Sequence, residues 1–327
     1  VIVDKSVAHF GNAEEELRAM GSTTIISDIS HLGLLRIEGE DSQSFLQGQF
    51  SNDVRDVSHS QAQYSSYCTP KGRMQASFLL WLNNDGNYYL QLPRETLVGL
   101  QKKLAMYVMR SKVKITDVSD EYVRFMVAGA EAKKAIEAIL GGDAPSSLRI
   151  NQGVGFKVIG LEENRFEIVS SAEQGQTLWA KLATHCKPVG SQCWDWLNIQ
   201  AGIPVIYNAT QEEFIPQMVN FELIGGVNFR KGCYPGQEIV ARTQHLGKTK
   251  RRMYLAHIAA SDAPQPGDPL FYAEGDGQAR IVDAERSPQG GYDVLAVIPI
   301  AAVETGTIHW HSQDGPLLNF LVLPYPV

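Results

Sequence analysis

No run of about 18 uninterrupted apolar residues occurs in the 327-residue chain, so no membrane-spanning helix is expected. The opening stretch, Val1 to Phe10, carries Asp4, Lys5 and His9 and lacks the long apolar run of a secretory leader. Cysteine is scarce: Cys68, Cys186, Cys193 and Cys233 are the full set. No two stand as Cys-x-x-Cys and no Cys/His cluster has zinc-finger spacing, so no metal site is expected. A chain this long builds a core without disulfide staples, so reduced thiols and a cytoplasmic location are the expectation. Positive charge is short as well. Lys and Arg number 29 against 36 Asp and Glu, a net charge of −7. That argues against broad adhesion to nucleic acid or acidic membrane, and direct tRNA binding is not expected. Gly153-Val154-Gly155 lacks the third glycine of a dinucleotide fingerprint, and there is neither a Walker loop nor a Gly-x-Ser-x-Gly elbow.

What is present reads as an α+β protein of two or three domains. Gly33–Glu38 is a predicted strand, and Asp41 is placed to cap a helix through Phe45, Leu46 and Phe50. Tyr64–Cys68 and Met74–Leu82 pair about the turn Pro70-Lys71-Gly72, and the turn Asn83-Asn84-Asp85-Gly86 leads to the strand Tyr88–Leu92. Thr96–Tyr107 has helical spacing at Leu97, Leu100, Leu104 and Tyr107. From Tyr122 the succession is strand (to Ala128), helix (Glu131–Leu140), strands (Ser147–Asn151, Gly155–Leu161, Arg165–Ser170) and helix (Ala172–Cys186). Glu162-Glu163-Asn164 breaks the last two strands, and the whole suggests a ferredoxin-like sandwich. Gln192–Ala201 and Pro235–His245 read as helices. After Arg251 short alternating runs broken at Pro264–Gly267, Gly275–Gly277 and Gln289–Gly291 argue for a small β-barrel or sandwich.

The sharpest chemical feature is Lys231-Gly232-Cys233-Tyr234-Pro235-Gly236-Gln237-Glu238. Gly232 permits an unusual backbone angle or a close approach before the thiol, and Pro235 suits a first helical turn. Cys233 would then sit near a helix N-terminus beside Arg230 and Lys231, which favours its thiolate. A tight loop with cysteine as a small apolar plug accounts for the same residues. The basic run Lys248-Thr249-Lys250-Arg251-Arg252 suits an anionic ligand or, more plainly, a solvated junction. His309-Trp310-His311 puts two imidazoles on one side of a strand, but two ligands do not make a site. Trp194 and Trp196 fall on different faces of one helix.

These residues carry a resemblance. Phe229 to Glu238, with its Lys-Gly-Cys-Tyr-x-Gly-Gln-Glu run, is similar to the YgfZ family of tetrahydrofolate-binding proteins. Ala201-Gly202-Ile203-Pro204, Phe214-Ile215-Pro216-Gln217, Arg242 and Lys250-Arg251 fit it, as do Phe45-Leu46-Gln47-Gly48-Gln49, Asn52-Asp53-Val54 and Lys71-Gly72-Arg73-Met74. That family resembles aminomethyltransferase, the T-protein of the glycine cleavage system. The resemblance implies a discontinuous folate-binding domain (1–117 and 187–250), a ferredoxin-like domain (118–186) and a C-terminal β-barrel (251–327) about a central pocket. It assigns tetrahydrofolate, or a one-carbon derivative, to residues Trp194, Leu32, Gln75, Gln200, Tyr234, Gln237 and Arg242, with Cys233 and Lys231 as the reactive pair.

The departures shape the expected function. Gln75 stands in the stretch where the T-protein supplies a carboxylate, and Gln200 replaces a Glu before Ala-Gly; a neutral amide orients a pterin but accepts no proton from it. Of two tryptophans expected to line the folate platform, Trp194 aligns with one and Leu32 stands at the other. The resemblance therefore implies a folate-binding protein that assists assembly or repair of iron–sulfur enzymes, including tRNA methylthiotransferases. The alternative is a folate-dependent aminomethyl transferase or demethylase.

Overall fold

Three curved sheets carry the architecture, each formed where β-branched and aromatic residues alternate between turn signals. The structure is a computed structural model and describes residues 1–3, 6–162, 164–245, 247, 249–272 and 279–327. The turn expected at Gly275-Asp276-Gly277, with Asp4, Lys5, Glu163 and Lys248, lies outside them.

A short hairpin, β1 (Ile2–Val3) and β2 (Ser6–Val7), precedes α1 (Ala13–Ala19), β3 (Ile25–Asp28), β4 (Gly33–Glu38) and α2 (Ser42–Gln47). Then come β5 (Gln63–Cys68), β6 (Met74–Leu82), β7 (Tyr88–Leu92), α3 (Arg94–Val108) and β8 (Lys114–Asp117). Strands β5-β6-β7-β4-β8 form one antiparallel sheet in that order. Leu97, Leu100 and Leu104 of α3 pack with Phe45 and Leu46 of α2 against it. The carboxylate of Asp41 does not cap α2: it accepts from Lys112 N at 2.7 Å and ties the helix start to the strand at the sheet edge.

Next are β9 (Val123–Ala128), α4 (Ala132–Leu140), β10 (Ile150–Gly153), β11 (Phe156–Glu162), β12 (Arg165–Ser170), α5 (Ala172–Leu182) and β13 (Lys187–Val189). The second sheet runs β10-β11-β12-β9-β3-β13, antiparallel except for the parallel pair β3–β13. The run β9–α4–β11–β12–α5–β13 is the ferredoxin-like succession, with β3 laid between β9 and β13. α4 stops at Gly141, which takes the left-handed conformation at φ +69°. α5 ends at Leu182 rather than Cys186, and a turn carries the chain to β13. A core containing Trp81, Tyr89, Ile159, Leu161 and Trp194 is shared by the two sheets and the next helix.

α6 (Gln192–Gln200) and α7 (Gln237–His245) lead into β14 (Arg251–Ile258), β15 (Pro269–Phe271), β16 (Ala279–Arg286), β17 (Tyr292–Pro299), α8 (Ile300–Thr305), β18 (His309–Trp310) and β19 (Leu318–Leu321). The third sheet is antiparallel in the order β18-β15-β16-β17-β14-β19. A bridge between His309 and Leu317 draws its ends together, so the sheet curls into a half-barrel. His311 sits beyond β18 at φ +73°, so the two histidines do not share a strand face.

Candidate functional site

Where α6 meets the first two sheets, a cavity of about 340 Å³ opens. Ser77–Leu79 of β6, Gln91 and Leu92 of β7, and Ile203–Val205 form its mostly apolar walls, with Leu32 and Trp194. Both aromatic-platform positions, Trp194 and Leu32, thus face one space. Trp194 is itself held from behind. The Arg165 guanidinium lies 4.6 Å from its ring centre, donates to Leu197 O at 3.3 Å, and bonds Asn198 Oδ1.

The polar groups of this cavity come from positions that the sequence did not single out. Glu167 is fully buried; its Oε2 accepts from Gln91 Nε2 at 2.9 Å, and its Oε1 has no partner. Burial raises its carboxyl to about 7, opposed by Arg124, Gln91 and Arg165. Arg124 in turn donates to Gln91 Oε1 and to the carbonyls of Ser30, Leu32 and Gly33. It thereby fixes the loop that presents His31 and Leu32. His31 also lines the cavity; burial lowers its pKa to about 4, and Nδ1 has no partner. Asp195 adds a carboxyl that burial and Glu285 raise to about 8. Tyr207 donates to Asp283 at 3.4 Å, an acid also raised well above the carboxylate range by burial and Asp195. The cavity therefore offers aromatic walls that include Trp194, an unpartnered carboxyl oxygen of Glu167 and the neutral imidazole of His31.

The thiol motif builds a second, separate feature. Cys233 is exposed, whereas Cys68, Cys186 and Cys193 are buried, with thiols pushed up by that burial, Cys68 to about 12 and Cys186 to about 11. A surface pocket around Cys233 takes in Pro70, Tyr234, Gly236, Gln237 and Glu238. Lys231 is buried. Its ammonium donates to the carbonyls of Gln47 (2.7 Å), Phe50 (2.5 Å) and Asn52 (3.1 Å) and lies 5.1 Å from the Tyr234 ring centre. Burial lowers its pKa to about 8. The blocks Phe45–Gln49 and Asn52–Val54 thus form a cradle around one lysine, and Gln47 Oε1 closes it by accepting from Val54 N.

Gly232 has a Cβ direction open to space; the unusual glycine is Gly236, at φ +82°. A Cβ there would stand 2.4 Å from Thr69 O and 2.5 Å from Gly72 Cα, so the thiol loop and the Pro70–Gly72 turn cross backbone to backbone. Because Gly236 is left-handed, α7 starts at Gln237 and not at Pro235, and Cys233 lies four residues ahead of it.

The remaining expected folate contacts lie apart from the cavity lining. Gln75 Nε2 donates to Glu212 at 2.8 Å, and Gln200 Nε2 donates to Asp293 at 3.0 Å. Asp293 also accepts from Trp196 Nε1 and bonds His257 Nδ1, both at 2.8 Å. Tyr234 and Gln237 belong to the Cys233 pocket, and Arg242 is exposed on α7. Glu167, His31 and Asp195 carried one readable signal: they are charged or titratable positions inside apolar runs, Arg165–Ser170 most clearly.

The architecture is that of the glycine-cleavage aminomethyltransferases. The crystal structure of glycine cleavage system aminomethyltransferase T from Bartonella henselae superposes with a TM-score of 0.72 at 16% identity, covering 94% of this chain and 87% of that one. The family model described as GCVT N-terminal domain matches residues 5–153. Within this class, the tRNA-modifying protein YgfZ of Escherichia fergusonii is 34% identical over 298 residues, 89% of this chain and 90% of its own. That of Shigella sonnei is 32% identical over 296 residues, with the same coverage. The chain belongs to the YgfZ family.

Proposed function

We propose that this protein binds a reduced folate in the central cavity and works in tRNA modification by supporting iron–sulfur enzymes that carry it out. The observation that carries the folate reading is the unpartnered Oε1 of Glu167 in a cavity walled by Trp194. A buried carboxylate oxygen without a donor is costly, and an N–H edge of a pterin satisfies it while the ring stacks on the indole. His31, held neutral, contributes a second polar contact at the rim. The relatives are named as tRNA-modifying proteins, which supports the second half of the reading. Tetrahydrofolate supplies a one-carbon carrier or a reductant; Trp194, Glu167 and Gln91 orient it. Cys233, exposed on its own loop, is the group that meets a partner.

Calorimetry with tetrahydrofolate tests this directly. Trp194→Ala removes stacking and burial worth roughly 1–3 kcal/mol, a loss of about five- to hundred-fold in affinity. No binding by the parent protein, or unchanged affinity in the variant, removes the assignment. Cys233→Ser is expected to abolish complementation of iron–sulfur-dependent tRNA methylthiolation while leaving folate affinity intact. Turnover of a methylamine donor with tetrahydrofolate would instead establish the transferase alternative.

A further inference from the structure

We infer that the outer face of α3 and the turn after it form a docking surface for an acidic protein partner. The helix buries Thr96, Leu97, Leu100 and Leu104 on one side. Its other side is not the polar face expected of a surface helix. Val98 is 52% exposed, Met106 67%, Tyr107 51% and Met109 87%. Val98, Lys102 and Met106 follow one another at steps of four on one stripe, and Met109 stands just past the helix end. Exposed apolar stripes of this kind mark contact surfaces, and methionine is the side chain that adapts most readily to a partner. Met109 strengthens the case. It takes φ +42° and ψ −100°, a conformation that strains any side-chain-bearing residue, and there its thioether points into solvent.

Charge selects the occupant. Between residues 96 and 116 stand Lys102, Lys103, Arg110, Lys112 and Lys114 with no Asp or Glu, in a chain whose net charge is −7. Lys112 and Lys114 pair with Glu40 and Glu38. Lys102, Lys103 and Arg110 meet no carboxylate among the described residues. A partner that seats apolar groups on Val98 and Met106 inside a ring of Asp and Glu satisfies both features. A membrane is disfavoured because α3 spends its leucine face on the core, and RNA because methionines, not stacking rings, dominate the tips. The inference deepens the proposed function by giving the partner a chemistry, and it stands or falls separately.

The test uses the full chain with a photo-crosslinking phenylalanine analogue at Met106, and at Val154 (89% exposed, on the β10–β11 turn) as control. Irradiation in the native cell is expected to give a protein adduct from Met106 alone, mapped to a partner peptide flanked by Asp and Glu. Reversing Lys102, Lys103 and Arg110 to Glu is expected to cut that adduct at least about tenfold, with the melting temperature and folate affinity retained. No adduct, an adduct to RNA or lipid, the same adducts at Val154, or indifference to charge reversal each overturns the surface. An intact, charge-sensitive adduct alongside unchanged tRNA methylthiolation in cells lacking this protein would overturn the iron–sulfur reading and leave the surface standing.

Discussion

At the scale of single residues, the buried acids set the behaviour of the cavity. Asp195 holds its proton to about pH 8 in the native state, whereas an unfolded carboxylate releases it near pH 4. Between those values the native state carries the extra proton, so stability falls as pH rises through that window. Asp195→Asn removes the dependence. We expect little change in melting temperature at pH 4 and a gain of about 2–4 °C at pH 8, read by calorimetry. A uniform shift at both pH values would contradict a raised carboxyl. Glu167 acts on the ligand in the opposite sense. Its carboxyl, raised to about 7, loses charge as pH falls. Affinity for tetrahydrofolate is therefore expected to weaken on going from pH 8 to pH 6, and Glu167→Gln to flatten that slope. A slope identical in parent and variant would mean that Glu167 does not meet the ligand.

Among elements, the cradle around Lys231 explains why three separated motifs accompany one another. Lys231→Met leaves the carbonyls of Gln47, Phe50 and Asn52 without a donor, at a cost of about 2–4 kcal/mol in urea unfolding. Gly236→Ala is expected to cost at least about 1–2 kcal/mol, since the left-handed backbone and the crossing with Thr69 both oppose a Cβ. Neither change touches the cavity, so folate affinity should hold in the folded fraction. These motifs were legible from the residues, but their use was not. The lysine beside the thiol reads as chemistry, yet its ammonium is taken by backbone carbonyls contributed from residues 179–184 positions earlier. The strands β4 to β7 were legible as short, mostly buried runs between turn signals, and the helices α3 to α6 by their stop signals and periodic apolar positions. Sequence periodicity could not find the cavity polar set, because Glu167, His31 and Asp195 meet only when three distant segments pack. Nor could it see that β3 joins the second sheet, a pairing with residues about a hundred positions away.

For the molecule as a whole, the two glutamines at the expected acid positions are committed to other partners. Gln75 bonds Glu212 and Gln200 bonds Asp293, so Gln75→Asp with Gln200→Glu places carboxylate against carboxylate. The double variant is expected to lose stability and to gain no aminomethyl transfer; measurable transfer would show that these positions reach the folate after all. Asp293 has a wider consequence. It sits in β17 and receives the indole of Trp196, the amide of Gln200 and the imidazole of His257. The helix that carries Trp194 is therefore fastened to the half-barrel by a shared carboxylate and by Ile199, which packs with Val282 and Leu295. Whatever quiets α6 must also quiet β17. Deuterium uptake at Val294–Ala296 should slow when tetrahydrofolate fills a cavity that those amides never touch, and Asp293→Ala should weaken that slowing while leaving the part carried by Ile199.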